Sequence, residues 1–436
     1  MRNYGEDLDI NRQKREGMGF KAERIHRSNL LDSSTAIPGG TVTVMLPKIK
    51  NEPIVPGTMY LSFKAKPKSS SDQSASFVQN LGRAIIVEKH LKFNGKPATT
   101  IREYGDYKLY TDLWLTKGER KNRILQGIQD ITGLKHRLGS KKATTSGGST
   151  TYAALTNATD EHKAITTAYG NTFYIPFDDE LFHDIAPFCP YFLNDTITVE
   201  IKLAEAKDIV LSTDTSATYE ISDLHLEWDG IQDESLAIEI GNTYTSGLAV
   251  YYDRIQFLLK ENHTKNTTLI NTQIKESLRS LRGVLILFKD SSDQVKYACN
   301  RETFYNPGIE RINISINGAA NKLYANGIIP KDLWYEARKF FQGSTNMSQG
   351  AFYNDKFCLW VDLRSSSDMK LHGNGLRLDG SNSGVQLAIN KKDDGSGTFS
   401  MYIYLVIDAF MEFQDNSYKR ICYALTDNCE YGDGDQ

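Results

Sequence analysis

The sequence is poor in the patterns that mark several common protein classes. Only five cysteines occur, and no two of them show the CxxC spacing of a zinc or redox site. They are Cys189, Cys299, Cys358, Cys422 and Cys429. The odd count and the spacing indicate neither a disulfide framework nor a zinc site, and suit a reducing interior. No apolar run approaches the roughly 20 residues of a membrane-spanning helix, and the first twenty residues lack the apolar region of a secretory signal.

Strong charge of one sign and catalytic motifs are also missing. The net charge is −3, so no strong overall field would attract nucleic acid or a membrane surface. The eight histidines form no HxH or HExxH pair, and neither a GxSxG elbow nor a Walker A run occurs. With 436 residues and 40% hydrophobic residues, the chain is long enough for two to three globular domains with sizeable cores.

What the sequence does contain is an internal repeat. The phrase "KLYTDLW" (108–114) returns, with an insertion, as "KLYANGIIPKDLW" (322–334). Further pairs of segments keep the same order along the chain, which favours duplication of one fold over chance. They are "GTMYLSFKA" (57–65) with "RGVLILFKD" (282–290), "LKFNG" (91–95) with "ISING" (314–318), "TFYIPFD" (172–178) with "AFYNDKF" (351–357), "TITVEIKL" (196–203) with "GVQLAI" (384–389), and "YEISDLHLEWDGI" (219–231) with "TFSMYIYLVIDAFMEF" (398–413).

Alternation of apolar and polar residues dominates both copies. In "TITVEIKL" the apolar residues fall on every second position, which predicts a strand with one buried face. "FSMYIYLVIDAF" (399–410) is apolar on both faces, so we expect a strand covered on both sides, as at a domain or subunit contact. The alternation in "YEISDLHLEW" slips, which predicts a bulge near Asp223. One helix is predicted at 330–341, after Pro330 and with Asp332 as a cap, and a matching helix with Asp112 is interrupted by Gly118.

These patterns predict an all-β protein of two tandem eight-stranded jelly-roll sandwiches, each with a short inserted helix. We expect the chain to be divided into five parts. These are an N-terminal arm (1–40), a first jelly roll (41–231), a linker (232–247), a second jelly roll (248–413) and a C-terminal tail (414–436). The first jelly roll carries a polar insertion, residues 128–170, which is rich in Gly, Ser and Thr and predicts a long exposed loop.

The tandem organisation resembles the double jelly-roll major capsid proteins of tailless icosahedral double-stranded DNA viruses, virophages and Polinton-type elements. The resemblance covers roughly residues 41–413. Its closest echoes are "YIPFDDELFHDIAPFCPYFLNDTITVEIKL" (174–203) and "LWVDLRSSSDMKLHGNGLRL" (359–378) followed by "YIYLVIDAFMEF". These motifs are architectural, and none is a catalytic signature.

The resemblance implies a structural protein of the virion rather than an enzyme. Three copies of two sandwiches would form a nearly hexagonal homotrimer that tiles a shell. Expected partners are neighbouring capsid trimers and minor capsid or penton proteins, and the N-terminal arm would contact an inner membrane or the genome. No catalytic, cofactor-binding or metal-binding residue and no small-molecule substrate is expected.

Four local features are candidate functional sites. "FDDELFHD" (177–184) gathers carboxylates with a histidine, which fits a metal or acid–base site, although a charged helix start is the simpler interpretation. The GxG spacing near His372 favours a turn over a phosphate loop. Trp114 and Trp334 fit sugar platforms or, in better agreement with their matched positions, core anchors. The basic run 117–142 lacks the interleaved aromatic residues of single-strand binders, which favours a solvated loop or subunit contact.

The main competing hypothesis is a carbohydrate-binding or glycan-active tandem β-sandwich. It predicts exposed aromatic residues along one concave sheet and, in most settings, a secretory signal. A receptor-binding spike or minor capsid protein is less favoured, because such proteins more often carry one jelly roll. Burial of both Trp114 and Trp334, in matching positions of the two copies, is expected if the capsid interpretation holds.

Overall fold

The computed structural model describes residues 23–155, 157–179, 182, 187–321, 324–341, 347–364, 375–378 and 384–423. Over these ranges the chain forms two β-sandwiches in succession, each made of two antiparallel sheets. The inner faces of the sheets meet in apolar cores, since alternate side chains of a strand point to opposite faces.

The first sandwich contains two four-stranded sheets. One sheet has the order β1 (Glu23–Leu30), β12 (Thr218–Gln232), β3 (Tyr60–Lys68) and β9 (Thr172–Pro176). The other has the order β2 (Thr41–Met45), β10 (Ile197–Leu203), β5 (Ile86–Phe93) and β6 (Lys96–Ile101). The short strands β4 (Ser76–Phe77) and β11 (Val210–Leu211) form a separate pair, as do β7 (Lys141–Ser146) and β8 (Ser149–Ala154).

The second sandwich repeats this arrangement, with longer strands at its first, third and eighth positions. One sheet has the order β13 (Leu248–Thr264), β21 (Thr398–Gln414), β15 (Leu278–Asp290) and β18 (Cys358–Asp362), with β19 (Leu376–Leu378) beside β15 and β22 (Ser417–Cys422) beside β21. The other has the order β14 (Leu269–Ile274), β20 (Val385–Lys391), β16 (Ile309–Ile316) and β17 (Ala319–Ala320).

The two sandwiches have the same topology. When the eight main strands of each are counted in chain order, the sheets join strands 1-8-3-6 and 2-7-4-5 in both. This is the jelly-roll arrangement, so the predicted fold of two tandem eight-stranded jelly rolls is confirmed.

Most of the repeated phrases fall on equivalent strands. The third, fourth, seventh and eighth strands of each sandwich carry the matched segments found in the sequence. "LKFNG" and "ISING" end the fourth strands in turns with positive φ at Asn94 and Gly95 (48° and 77°) and at Asn317 and Gly318 (53° and 79°). One pairing was wrong: residues 172–176 form a strand, whereas Gln349–Asp355 is a helix, and the strand equivalent to β9 is β18.

Several helices lie between the strands. They are α1 (Leu81–Ala84), α2 (Tyr104–Leu113), α3 (Lys117–Asn122), α4 (Ile131–Arg137), α5 (Asp160–Tyr169), α6 (Ala206–Ile209), α7 (Glu234–Ser246), α8 (Pro330–Phe341) and α9 (Gln349–Asp355), with single 3₁₀ turns at Ile124–Gln126, Pro190–Phe192 and Ser291–Gln294. The predicted helix 330–341 is α8. In both sandwiches the largest helical insertion joins the fifth and sixth strands, so the two insertions occupy equivalent places in the fold.

The predicted arm, linker and tail each contain regular structure. In the predicted arm, β1 pairs along its whole length with β12. In the predicted linker, Asp233 caps α7 by accepting from the backbone of Ser235 and Leu236, and the helix buries an apolar stripe. In the predicted tail, β22 pairs with β21.

The insertion 128–170 is not a long loop. It contains α4, the β7–β8 hairpin and α5, and Leu134 and Leu138 of its first part lie in the first core. Arg137 is buried, donates to the carbonyl groups of Gly170 and Ile124, and stacks on Phe173 at 4.2 Å. Deletion of the whole insertion would therefore remove part of the core.

The predicted bulge is present. Pairing between β12 and β3 shifts register between Ser222 and His225, and Asp223 has a φ of 53°. The strand that was expected to be covered on both sides, β21, is buried over most of its length. One face of β21 packs within its own sandwich, and parts of the first sandwich pack against the other face.

Candidate functional site

The two aspartates of the predicted acidic cluster are part of a buried network of ion pairs. Arg83 Nη2 lies 2.7 Å from Asp178 Oδ2, and Lys89 Nζ lies 2.9 Å from Asp179 Oδ2. Lys108 of α2 contacts both carboxylates, and the Tyr104 hydroxyl donates to Asp179 at 2.6 Å. The other members of that cluster, Glu180, His183 and Asp184, lie outside the described residues.

This network holds both carboxylates in the charged form. Burial would raise the pKa of Asp179, but the ammonium groups of Lys108 and Lys89 outweigh that effect and lower the pKa to about 2. Burial likewise opposes ionisation of Asp178, and Arg83 and Lys108 hold its pKa well below the usual value. A general acid or base near neutral pH needs a pKa close to that pH. These aspartates are therefore structural charges that tie α2 to the first sandwich.

Metal-binding geometry is absent from the described part of the chain, which contains no group of three or more His, Cys, Asp or Glu side chains placed to hold an ion. His372 lies outside the described residues. Cys189, Cys299 and Cys358 are buried free thiols, and burial raises the pKa of Cys358 to about 12, so this thiol is unreactive. Cys422 is disulfide-bonded, which the cysteine spacing did not predict. No helix among the described residues is long and apolar enough to span a membrane.

Three of the eight basic residues in the run 117–142, namely Arg120, Arg123 and Arg137, make internal contacts. Arg120 pairs with Glu302 of the second sandwich at 3.1 Å, and Arg123 approaches Asp112 at 3.5 Å. Thr116 caps α3 through a reciprocal capping box with Glu119, which explains why a helix begins there despite Gly118. Lys117 and Lys121 face solvent.

Trp114 and Trp334 are both buried, as expected of core anchors, with 4% and 8% of their surfaces exposed. They do not occupy one core each, which corrects the expectation of matching positions. Both belong to the second core, because Trp114 lies just after the end of α2 and stacks on Phe341 of α8 with ring centroids 4.9 Å apart. The repeated phrase therefore marks two helices that meet.

The junction between the sandwiches is formed by α2, which lies on the outer face of the β13–β21–β15–β18 sheet. Tyr107 packs on Tyr404 of β21, and the Tyr404 hydroxyl donates to the Glu103 carbonyl at 3.0 Å. Tyr110 contacts Phe304 edge-on at 4.8 Å and donates to the Lys356 carbonyl at 2.9 Å. The helix thus replaces solvent over the centre of the sheet.

A buried ion pair crosses the same junction. Asp106 of α2 lies 2.7 Å from Lys289 Nζ of β15, and both side chains are 2% exposed. Arg301 also contacts Asp106 at 2.7 Å. Burial would raise the pKa of Asp106, but Arg301 and Lys289 lower it. Since a buried charge without its partner is costly, this pairing requires the two sandwiches to dock in one register.

A second contact completes the junction from the opposite direction. The far ends of β21 and β22 leave the second sandwich and pack on the first, where Phe413 joins the first core. Tyr418 stacks on Phe93 with centroids 4.3 Å apart, and Asn194 donates its backbone N–H to the Asn416 carbonyl at 2.7 Å. Each sandwich therefore contributes side chains to the core of the other.

Comparison with solved structures finds this doubled fold over almost the whole chain. The Faustovirus major capsid protein matches with a TM-score of 0.59 at 6% identity, covering 91% of each chain. The PBCV-1 virus capsid matches with a TM-score of 0.58 at 10% identity, covering 93% of this chain and 98% of the other. The Sputnik virophage structure matches with a TM-score of 0.57 at 11% identity, covering 96% of this chain and 93% of the other.

No protein-family model matches the sequence, and no curated protein matches it in sequence. The structural similarity confirms the resemblance to double jelly-roll major capsid proteins at the level of the fold.

Proposed function

We propose that this chain is a major capsid protein that self-assembles into pseudo-hexagonal homotrimers of an icosahedral viral shell. The observation that carries the proposal is the match of both sandwiches together, in one arrangement, to capsid proteins over at least nine tenths of the chain. A single sandwich is shared by proteins of many functions, whereas the doubled arrangement is a far more specific feature.

The internal junction supports this role. A trimer of duplicated chains presents six similar sandwiches around one axis, which requires each chain to hold its two sandwiches at a fixed angle. The buried pair of Asp106 and Lys289 and the stacked pair of Trp114 and Phe341 supply such a fixed connection. The protein would act in the virion without catalysis, since its aspartate cluster is committed to ion pairs.

The proposed partners are further copies of this chain in neighbouring trimers and the minor capsid or penton proteins that close the shell. Residues 1–22, which precede β1, are proposed to contact an inner membrane or the genome, as the N-terminal arm was expected to do. The alternative of a glycan-binding protein gains no support from Trp114 and Trp334, because both are buried at the junction.

The test is the state of association of the purified full-length chain. Size-exclusion chromatography with light scattering should give a mass near three times 49.1 kDa, and electron microscopy should show particles with a hexagonal outline. A protein that stays monomeric at high concentration and binds glycans on an array would contradict the capsid proposal.

A further inference from the structure

The outer face of the first sandwich's β1–β12–β3–β9 sheet is open, although the equivalent face of the second sandwich is covered. We propose that this open face receives helix α8 of a second copy of the chain. The inference rests on the proposed trimer and identifies the two surfaces that build it. It follows from comparing matched positions in the two sheets.

Strand pairing fixes which positions are equivalent. Lys64 of β3 lies opposite Ser222, and Lys289 of β15 lies opposite Ser400. Four residues earlier in each strand, Tyr60 corresponds to Leu285. The sequence repeat gives the same alignment, since it places "YLSFK" over "LILFK".

At these matched positions the second sandwich is closed by a helix of the first. Lys289 binds Asp106 of α2, and Leu285 is fully buried. In the first sandwich, Lys64 pairs with Asp223 with both side chains 45% exposed, and Tyr60 is 36% exposed. Among the described residues, the first sheet therefore presents the same socket without a helix of its own chain in it.

The socket has a groove of suitable size. A cleft of about 700 Å³ runs along the open face, between its sheet and the segment that follows α3. Its aromatic wall is the edge-on pair of Tyr60 and Tyr174, with centroids 6.2 Å apart. Its acidic residues include Asp229, which is paired with Arg24 and His26 of its own chain, and Glu227. Glu227 Oε2 lies 3.9 Å from His26 Nε2, beyond hydrogen-bond distance, so Glu227 is the carboxylate offered to a partner.

Helix α8 presents a complementary surface. Its inner side packs on its own sandwich, where Phe340 stacks on Trp360 at 4.0 Å. Its outer side carries Tyr335, which is 53% exposed, between Lys331 and Arg338 at helical spacing. An exposed aromatic residue flanked by positive charges fits a groove with an aromatic wall and the Glu227 carboxylate, and such residues often dominate binding energy.

The geometry of duplication selects a second copy as the occupant. Within one chain, the insertion between strands five and six of the first sandwich covers the sheet of the second. The equivalent insertion of the second sandwich contains α8, and the equivalent sheet is the open one. Repeating the same contact between chains is a heterologous association, which closes into a ring when the rotation permits.

The experiment compares three variants of the full-length protein by light scattering across a concentration series. Tyr335→Ala and Glu227→Lys should each raise the dissociation constant of the trimer at least tenfold. Tyr169→Ala is the matched control, because Tyr169 is 43% exposed at the end of α5, and it should leave association unchanged. Thermal unfolding of each monomer verifies that the variants fold.

Zero-length carbodiimide cross-linking of a mixture of light and ¹⁵N-labelled chains gives an independent measurement. We expect mixed-isotope links from Lys331 or Lys339 to Glu227. A wild-type trimer whose interchain links join other surfaces, or whose association is unaffected by both variants, would overturn this assignment and leave the capsid proposal standing. A wild-type monomer at all concentrations would overturn both.

Discussion

The outer sheet faces of the two sandwiches have the same strands in the same register but different surfaces. In the second sandwich the central positions carry Leu285, Tyr404 and Trp360, all buried. In the first, the matched positions carry Tyr60, Glu227 and Pro176, which are exposed or half-buried. One fold thus supports both an apolar face and a polar face.

The difference follows from when each face meets its partner. The second face is covered by α2, which packs on Tyr404, and by α8, which packs on Trp360, so it is buried as soon as the chain folds and can be apolar. No helix in the described part of the chain covers the first face in this way. A face that waits in solvent must remain polar, because large exposed apolar patches promote aggregation. Interfaces between separately folded proteins accordingly resemble the ordinary surface in polarity.

The largest expected effect comes from opening the covered face. Trp114→Ala removes the ring that stacks on Phe341, leaves a cavity between α2 and α8, and should lower the free energy of unfolding by about 3–5 kcal/mol. Urea denaturation measures the change. Tyr335→Ala, on the exposed side of α8, is the control and should change stability by less than ~0.5 kcal/mol. Equal effects of the two variants would mean that α2 is not a structural part of the junction.

The next effect comes from breaking the ion pairs of the matched lysines, Lys289 and Lys64. Asp106→Asn leaves Lys289 and Arg301 buried beside a neutral amide, and the free energy of unfolding should fall by about 3 kcal/mol. On the open face, Lys64→Met breaks the matched ion pair with Asp223. It should leave the unfolding midpoint nearly unchanged, because that ion pair is solvated. A similar loss in both variants would contradict the contrast between covered and open faces.

Acid should weaken the covered junction. The folded-state pKa values of Asp106, Asp178 and Asp179 lie below the ordinary value, so their stabilising contribution is complete above about pH 4. It is lost as the pH falls, and for Asp179 the loss runs from about pH 4 down to about pH 2. Tryptophan fluorescence during acid titration follows the exposure of the junction. Asp179→Asn should be less stable at neutral pH and should show a shallower decline, and an unchanged slope would contradict this account.

The smallest effect is a difference in salt sensitivity. On the open face, β1 is held by exposed pairs such as Arg24 with Asp229, which ions screen. Raising the salt concentration from about 0.05 M to 1 M should accelerate amide exchange in residues 23–30 slightly. Exchange in α2 should not change, since its ion pairs are buried. Hydrogen–deuterium exchange resolves the two segments, and equal acceleration in both would remove the distinction.

Much of the fold could be predicted from the sequence because short-range residue patterns determine where strands and turns form. Alternation located the strands, the Asn-Gly turns marked the ends of two equivalent strands, and the phase slip located the bulge at Asp223. The linker helix α7 also had a signal, since Asp233 precedes Leu236, Ile240 and Tyr244 at helical spacing. Residues 232–247 were nevertheless predicted to be a linker.

The junction could not be predicted in the same way. Asp106 and Lys289 are far apart in sequence, and neither residue belongs to a motif. The sequence predicted a helix with Asp112 that Gly118 interrupts, whereas the helix spans Tyr104–Leu113, ends before Gly118 and turns Lys108 and Asp112 toward the first sandwich. Only "FSMYIYLVIDAF" (399–410), which is apolar on both faces of the strand, indicated that another part of the molecule covers this sheet.

The position of α2 in the chain also bears on synthesis. Domains of a growing chain generally fold from the N-terminus, at about 5–20 residues per second. Helix α2 therefore leaves the ribosome well before Tyr404, which it helps to bury. The outer face of the second sandwich is thus completed only after part of its cover has been made. Reversing the order of the two sandwiches by circular permutation would expose that face on the nascent chain until α2 is synthesised.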